Sequence, residues 1–313
     1  MNLRLLGADG VFSAAAAVRH GIDSHELDRL VRAGRCERVS RGWYAVRDDP
    51  SQPLGAEHRH TRTAIALGRQ FAARAAVSHH SLLLLHDLPT WRADLGTVHL
   101  TSTRPASATD VGIASRREGL VIHRHVPGLV VPTSSQPTSE STLPYAVPLG
   151  HAVVQAGLLA GPEAALVPAD AALARRLVTR EQLSAAVAAL AGRRGIGVVR
   201  AAVEHADARH ESPGESRTAY LLRALGHEAD PQIEVAAEGR RYRADFRIRG
   251  TRVLVEFDGQ VKYTDRAALF DEKRREDALR RTGWVVVRLV WSDLAQPDLV
   301  RRRLRDALRA AVA

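Results

Sequence analysis

The segment 243-RADFRIRGTRVLVEFDG-259 places three acids in a pattern that predicts a β-hairpin. Ala244, Phe246 and Ile248, then Val253, Val255 and Phe257, recur at every second position as two strands, each with one buried face. The shortest connection is a type II′ turn with Gly250 and Thr251 at its centre, glycine taking the position that needs positive φ. That register pairs Phe246 with Val255 and sets Asp245 directly opposite Glu256, with Asp258 two residues on along the same face. Opposed side chains in a sheet stand about 4.5–5.5 Å apart at Cβ, and like charges there repel. A positive group is required between them, and a divalent cation fits oxygen ligands so placed. Ion pairs of the acids with Arg243, Arg247 or Arg252 on a solvated face are the structural alternative; Arg243 is the register partner of Asp258.

The surrounding charge points to a polyanion. Lys and Arg number 45 against 35 Asp and Glu, a net charge of +10 with a pI near 10.7. Residues 241–313 hold 18 Lys/Arg and 11 Asp/Glu, so +7 of the excess lies beside the acidic hairpin. Cations around a small acidic cluster suit a site that grips a phosphate backbone while a metal acts on it. Aromatic residues make up only 4% of the chain, which argues against a stacking platform for single strands. The 313 residues imply two or three domains, and 45% apolar with 26% charged residues is a globular composition. No apolar run has the length of a membrane span, and the N-terminus lacks a signal-peptide pattern. With Cys36 as the single cysteine, a reducing cytoplasm is the expected location.

Residues 1–50 read as a small DNA-binding unit. Phe12–Arg19 predicts a short helix, and Asp23-Ser24-His25-Glu26 carries a capping pattern that opens a second helix ended by Gly34. Leu27, Leu30 and Val31 would face inward, leaving His25, Arg29 and Arg32 outside. Cys36–Val39 and Trp43–Val46, joined through Arg41, would form a β-wing, so His25, Arg29, Arg32 and Arg41 are the candidate DNA contacts. Residues 51–125 mix a helix at about 56–75, an apolar stretch at 76–89 and strands near Val98–Thr101 and Leu120–His125. Five prolines in 126–148 mark a loop, and 149–209 is Ala/Leu-rich and helical. His58, His60, His79, His80 and His86 crowd one region. Their H-x-H and H-H spacings do not put two imidazoles on one helix face, so they read as core or surface histidines.

From residue 212 the predicted order is α-β-β-β-α-β-α, a sheet flanked by helices. This order, with 212-SPGESR-217, 243-RADF-246, 255-VEFDG-259 and 274-RREDALRRTGWVVVRL-289, resembles the PD-(D/E)XK nuclease superfamily over about residues 210–294, most nearly its Vsr-like branch. The resemblance implies that Asp245 and Glu256 hold Mg2+ or Mn2+, that Glu215 supports the site, and that a lysine serves the attacking water. Asp258 stands where the superfamily's lysine is expected, and Lys262 stands where the Vsr-like branch has histidine. Lys262 is therefore the candidate cation beside the water, with Asp258 the third acid. Glu215 also completes an S-x-x-E capping box with Ser212, a role compatible with the first. Arg275 and Arg288 would meet the phosphate or neutralise the acids, and Arg288 interrupts an otherwise apolar strand.

Residues 1–50, with 78-SHHSLLLLHDLP-89 and 98-VHLT-101, resemble AbiEi-like type IV antitoxins, which implies duplex DNA and a toxin or defence-system partner. The expected architecture is α/β (mixed α+β): a winged helix at 1–50, a middle α/β and helical region at 51–209, and a restriction-endonuclease-like αβββαβ core at 210–313. Metal-dependent DNA cleavage is the expected function. A DNA-binding antitoxin-like regulator with an inactive nuclease-fold scaffold is the alternative.

Overall fold

The computed structural model describes residues 3–7, 9–49, 51–104, 112–126, 129, 145–259 and 266–312, the side chains of 266–273 excepted. The chain is a mixed α/β protein with three sheets among these residues, and it divides into two compact units, 1–165 with 178–203 and 166–177 with 204–313.

The first unit begins with β1 (Val11–Ser13), α1 (Ala14–Arg19), α2 (Ser24–Arg32), β2 (Cys36–Ser40) and β3 (Trp43–Val46), whose strands order β1-β3-β2. Phe12 lies in a strand and not in the first helix. It pairs with Tyr44 and is buried with Leu27, Leu30 and Cys36, while Ser13 caps α1 by accepting the Ala16 N–H. Asp23 caps α2 through the Glu26 N–H at 2.8 Å, and Gly34 leaves the helix at φ +68°. Helix–turn–helix with a hairpin wing is the result, and His25, Arg29, Arg32 and Arg41 are all exposed on it.

There follow α3 (Ala56–Gln70), β4 (Ala75–Val77), α4 (His79–Leu85), β5 (Val98–Ser102), β6 (Ile113–Arg117), β7 (Leu120–His123), α5 (Leu149–Ala160), α6 (Glu163–Ala174), α7 (Arg180–Ala189) and α8 (Ile196–Glu204). The second sheet is ordered β4-β5-β7-β6, with β5 and β7 parallel. Strand β6 has no alternating apolar pattern and is exposed, so the sequence carries no signal for it; backbone pairing to β7 makes it a strand.

The second unit contains α9 (Pro213–Ala224), β8 (Ala229–Ala237), β9 (Arg240–Ile248), β10 (Val253–Phe257), α10 (Arg266–Arg281), β11 (Val285–Leu289) and α11 (Pro297–Ala310), the order expected from sequence. The sheet runs β11-β10-β9-β8, antiparallel except between β10 and β11, where α10 makes the crossover that a parallel pair requires. Leu222 of α9 and Val300 and Leu304 of α11 bury one face against Phe246, Val253, Val255 and Leu289. Ala278 and Leu279 of α10 bury the other against Leu254 and Ala244.

Phe246 pairs with Val255 in the predicted register, but the turn differs. The Thr251 N–H donates to the Ile248 carbonyl at 3.1 Å, so Gly250 is the third residue of the turn, where its φ of +75° falls. Ala244 also departs from the expected face. The β8–β9 ladder skips Gln232 and Asp245, Gln232 takes φ +51°, and Ala244 and Phe246 enter opposite cores. The register is the same on both sides of the skipped pair, so the strands are distorted here without an inserted residue.

Gly214, in the first turn of α9, admits the Phe257 ring: a Cβ there would lie 1.9 Å from the ring edge. Phe257 in turn packs edge-on against Trp291 at 4.8 Å, so it cannot swing away freely. Gly214→Ala is expected to destabilise the protein by about 1–3 kcal/mol, the usual range for overpacking. Urea unfolding checks this; a variant of wild-type stability would mean that the close approach of α9 to β10 is dispensable.

Candidate active site

Three carboxylates meet where α9, β9 and β10 converge. Glu215 is 7% exposed and accepts from the Ser212 hydroxyl at 2.9 Å, the Glu211 N–H at 3.0 Å and the Gln232 amide at 2.7 Å. The Glu215 N–H donates to the Ser212 hydroxyl at 3.2 Å, so half of the capping box is present. The other half reaches Glu211, one residue beyond the cap. Glu215 is thus fixed from three sides, and capping accounts for only part of its environment.

Asp245 stands where the β8–β9 ladder skips a pair. The β9–β10 ladder ends at Phe246–Val255, and the Asp245 carboxylate there accepts the Phe257 N–H at 2.8 Å. Burial, together with the nearby charges of Glu215 and Glu256, pushes its pKa up from 3.8 to about 6; the Phe257 N–H and Arg275 pull the other way. These influences place the charges of Glu215 and Glu256 near Asp245. Asp258 follows at the end of β10, where its N–H donates to the Leu289 carbonyl at 2.8 Å.

Glu256 is held by cations. Arg275 of α10 forms an ion pair with it and also donates to the Arg243 carbonyl at 2.9 Å. Arg288, directly beside Glu256 in the parallel register, lies 3.7 Å from one carboxylate oxygen and 3.5 Å from Glu276. Both arginines therefore neutralise acids here. The three hairpin arginines do not: Arg243 forms a two-pronged pair with Glu211 instead of facing Asp258, Arg247 donates to the Thr251 carbonyl, and Arg252 to the Thr282 carbonyl. Lys262 lies outside the described residues. Glu211 and Gln232, which brace the site, went unseen in the sequence, because a cross-strand neighbour and a residue before a cap carry no pattern of their own.

The donor set suits a hard divalent cation. The available donors are carboxylate oxygens, and one of them, Asp245, resists ionisation because of its burial and then of the negative charge nearby. On the wing unit, Arg29 pairs with Glu26 and Arg32 donates to the Asp28 carbonyl, contacts that leave both side chains at the surface.

Residues 3–47, the winged-helix unit, match a family model described as a transcriptional regulator, the AbiEi antitoxin. Over 294 residues the chain is 26% identical to two uncharacterized proteins from two strains of Mycobacterium tuberculosis, a match that covers 92% of this chain and 98% of theirs. The catalytic domain of a homing endonuclease aligns with 17% identity and a TM-score of 0.26, over 32% of this chain and 97% of that one. No helix among the described residues is long and apolar enough to cross a membrane.

A carboxyl whose pKa rises on folding binds extra protons in the folded state between its two pKa values. Stability should therefore fall as pH climbs from 3.8 towards about 6, and stay lowered above that. Asp245→Asn keeps an acceptor for the Phe257 N–H and removes this charge. In chelator it should melt a few degrees above wild type at pH 7.5 and level with it near pH 3.5. A variant less stable at neutral pH would show that the Asp245 carboxylate is a net stabilising group.

Proposed function

We propose that the second unit is a metal-dependent endonuclease acting on DNA, and that the winged helix delivers it to the duplex. The convergence of Glu215, Asp245 and Glu256 carries this reading. Asp245 and Glu256 would hold Mg2+ or Mn2+, with Asp258 as a third acid. Bound there, the ion would supply a water of lowered pKa and a counter-charge for the phosphate. Glu215, locked by Ser212, Glu211 and Gln232, keeps the ligand cluster rigid. Arg275 and Arg288 occupy Glu256 when no ion is present and are close enough to turn to a phosphate. Lys262 is the proposed cation beside the water. The resemblance to Vsr-like PD-(D/E)XK domains supports the same assignment.

His25, Arg29, Arg32 and Arg41 form the exposed face that would contact duplex DNA, and the regulator family match over 3–47 supports DNA as its ligand. That match also suggests a toxin or defence-system partner. One observation favours the second reading, a DNA-binding regulator whose nuclease fold is a scaffold: the Arg275–Glu256 pair satisfies an acid that a working site would keep for metal.

Cleavage of plasmid, duplex oligonucleotide and RNA with Mg2+ and Mn2+ separates the readings. The expected result is nicking or cutting of DNA that Asp245→Asn or Glu256→Gln lowers by more than about 100-fold, since even outer-shell partners of a metal are worth about 10–100-fold. Cleavage of RNA alone would move the substrate class. No cleavage of any substrate, with DNA binding intact, would establish the scaffold reading.

DNA affinity should fall linearly on a log–log plot against salt. Arg29→Ala with Arg32→Ala should flatten that slope by roughly one to two units, about one for each phosphate no longer neutralised. An unchanged slope would remove the second helix from the DNA interface.

A further inference from the structure

Three histidines from three separate elements meet inside the first unit, and the sequence gives no hint of it. His79 opens α4, His99 lies in β5 and His123 ends β7; one ring nitrogen of each lies within 4.8 Å of the others. We infer that His79, His99 and His123 form a binding site for a divalent transition metal of the zinc class, with an open fourth position facing a cavity.

The hydrogen bonds set the tautomer that such a site needs. The Ser78 hydroxyl donates to the His99 carbonyl at 3.3 Å, so its oxygen is left to accept from His79 Nδ1 at 2.9 Å. His79 Nε2 then carries the lone pair. A ligating histidine that donates its other N–H to an outer partner is the usual arrangement around zinc. His99 Nδ1 and His123 Nε2 stand 2.8 Å apart and share one hydrogen, which an entering cation would displace. Tetrahedral zinc with bonds of 2.0–2.1 Å places its ligands about 3.3 Å apart, so these two rings need part by only about 0.5 Å. His79 is moreover held at φ +54°, a position uncommon for non-glycine residues but one that histidine takes more readily than most.

Burial keeps all three rings neutral, the form that binds metal: it lowers His79 and pushes His99 down to about 3 and His123 to about 4. Positive neighbours act in the same direction at His123, where Arg116 and Arg193 lie close. His79 and His123 line a cavity of about 490 Å³, together with Arg124, Gln155, Arg193 and Arg194.

Gln155 gives an independent pointer. It is 4% exposed and its amide nitrogen donates to the Thr101 hydroxyl at 3.1 Å, yet its buried carbonyl oxygen has no hydrogen-bond partner. Thr101 is the register partner of His123, so that unpartnered oxygen lies beside the histidines. A buried acceptor left unsatisfied is costly, and a water on the metal's fourth position would satisfy it. The three arginines fit a small anion in the same place. Nitrogen ligands separate this site from the oxygen ligands of the acidic hairpin, because imidazole selects zinc-class ions and carboxylate selects Mg2+ and Mn2+.

The test uses the full chain, free of any affinity tag, stripped with chelator and titrated with Zn2+ and Co2+. One equivalent should bind, the Co2+ form should show visible bands of tetrahedral type, and Zn2+ should raise the melting temperature. His99→Gln and His123→Gln should each weaken Zn2+ by at least about 100-fold, beyond the 10–100-fold of an outer-shell partner. The exposed His58→Gln, and Asp245→Asn combined with Glu256→Gln, should keep the full equivalent. If the histidine variants do not fold, X-ray absorption on the zinc-loaded wild type decides: three imidazole nitrogens support the site. An oxygen-only shell, binding abolished with the hairpin acids, or no Co2+ bands would overturn it and leave a hydrogen-bonded histidine cluster.

Discussion

Much of the second unit turns on one hydrogen bond, from the Phe257 N–H to the Asp245 carboxylate. A regular hairpin would satisfy that N–H with a backbone carbonyl of β9. The β9–β10 ladder ends at Phe246–Val255, and beyond it the Asp245 side chain takes the place of a backbone acceptor, so an acid becomes part of the sheet's own bonding. Three features accompany this bond. Asp245 is fixed near Glu256, its carboxyl is desolvated, and Phe257 lies against Gly214 at the start of α9. Glu215 follows in the next residue of that helix.

The cost of gathering these acids is visible in what surrounds them. Glu256 draws Arg275 from one element and Arg288 from another, while Asp245 has only the weaker help of Arg275 and keeps a raised pKa. A protein selected for stability alone would not bury three carboxylates together, and perturbed acids of this kind gather at functional sites. The neighbouring arginines are committed elsewhere, Arg243 to Glu211 and Arg249 to Glu228 and Asp230. Glu256 is thus the neutralised acid of the group, and Asp245 the one that keeps a raised pKa.

The first unit presents the opposite chemistry. Its buried titratable cluster is made of neutral imidazoles, held by a serine hydroxyl and by backbone carbonyls. One chain therefore offers an oxygen cluster in one unit and a nitrogen cluster in the other, donor sets suited to different classes of ion. The wing-bearing domain at the N-terminus presents His25, Arg29, Arg32 and Arg41 at its surface, over a core of Leu3, Phe12, Ile22, Leu27, Leu30 and Cys36.

What the sequence by itself determined was local and periodic. Alternation on either side of Gly250 specified the Phe246–Val255 register, because a slip of one residue would exchange the two faces for every side chain of the strand. Asp23 and Ser212 marked two helix starts, since few side chains can satisfy free N–H groups there. Only the tertiary structure decided where that periodicity fails. The alternation breaks at Asp245 because Gln232, on a different strand, takes a left-handed conformation opposite it. Arg275 finds Glu256 through the packing of α10 on the sheet, a contact that no spacing encodes. The histidines show the same limit most plainly. His79 was in view among its sequence neighbours, but His99 and His123 belong to strands that meet it only once the sheet has formed. A coordination shell is defined by distances in space, and the sequence records only distances along the chain.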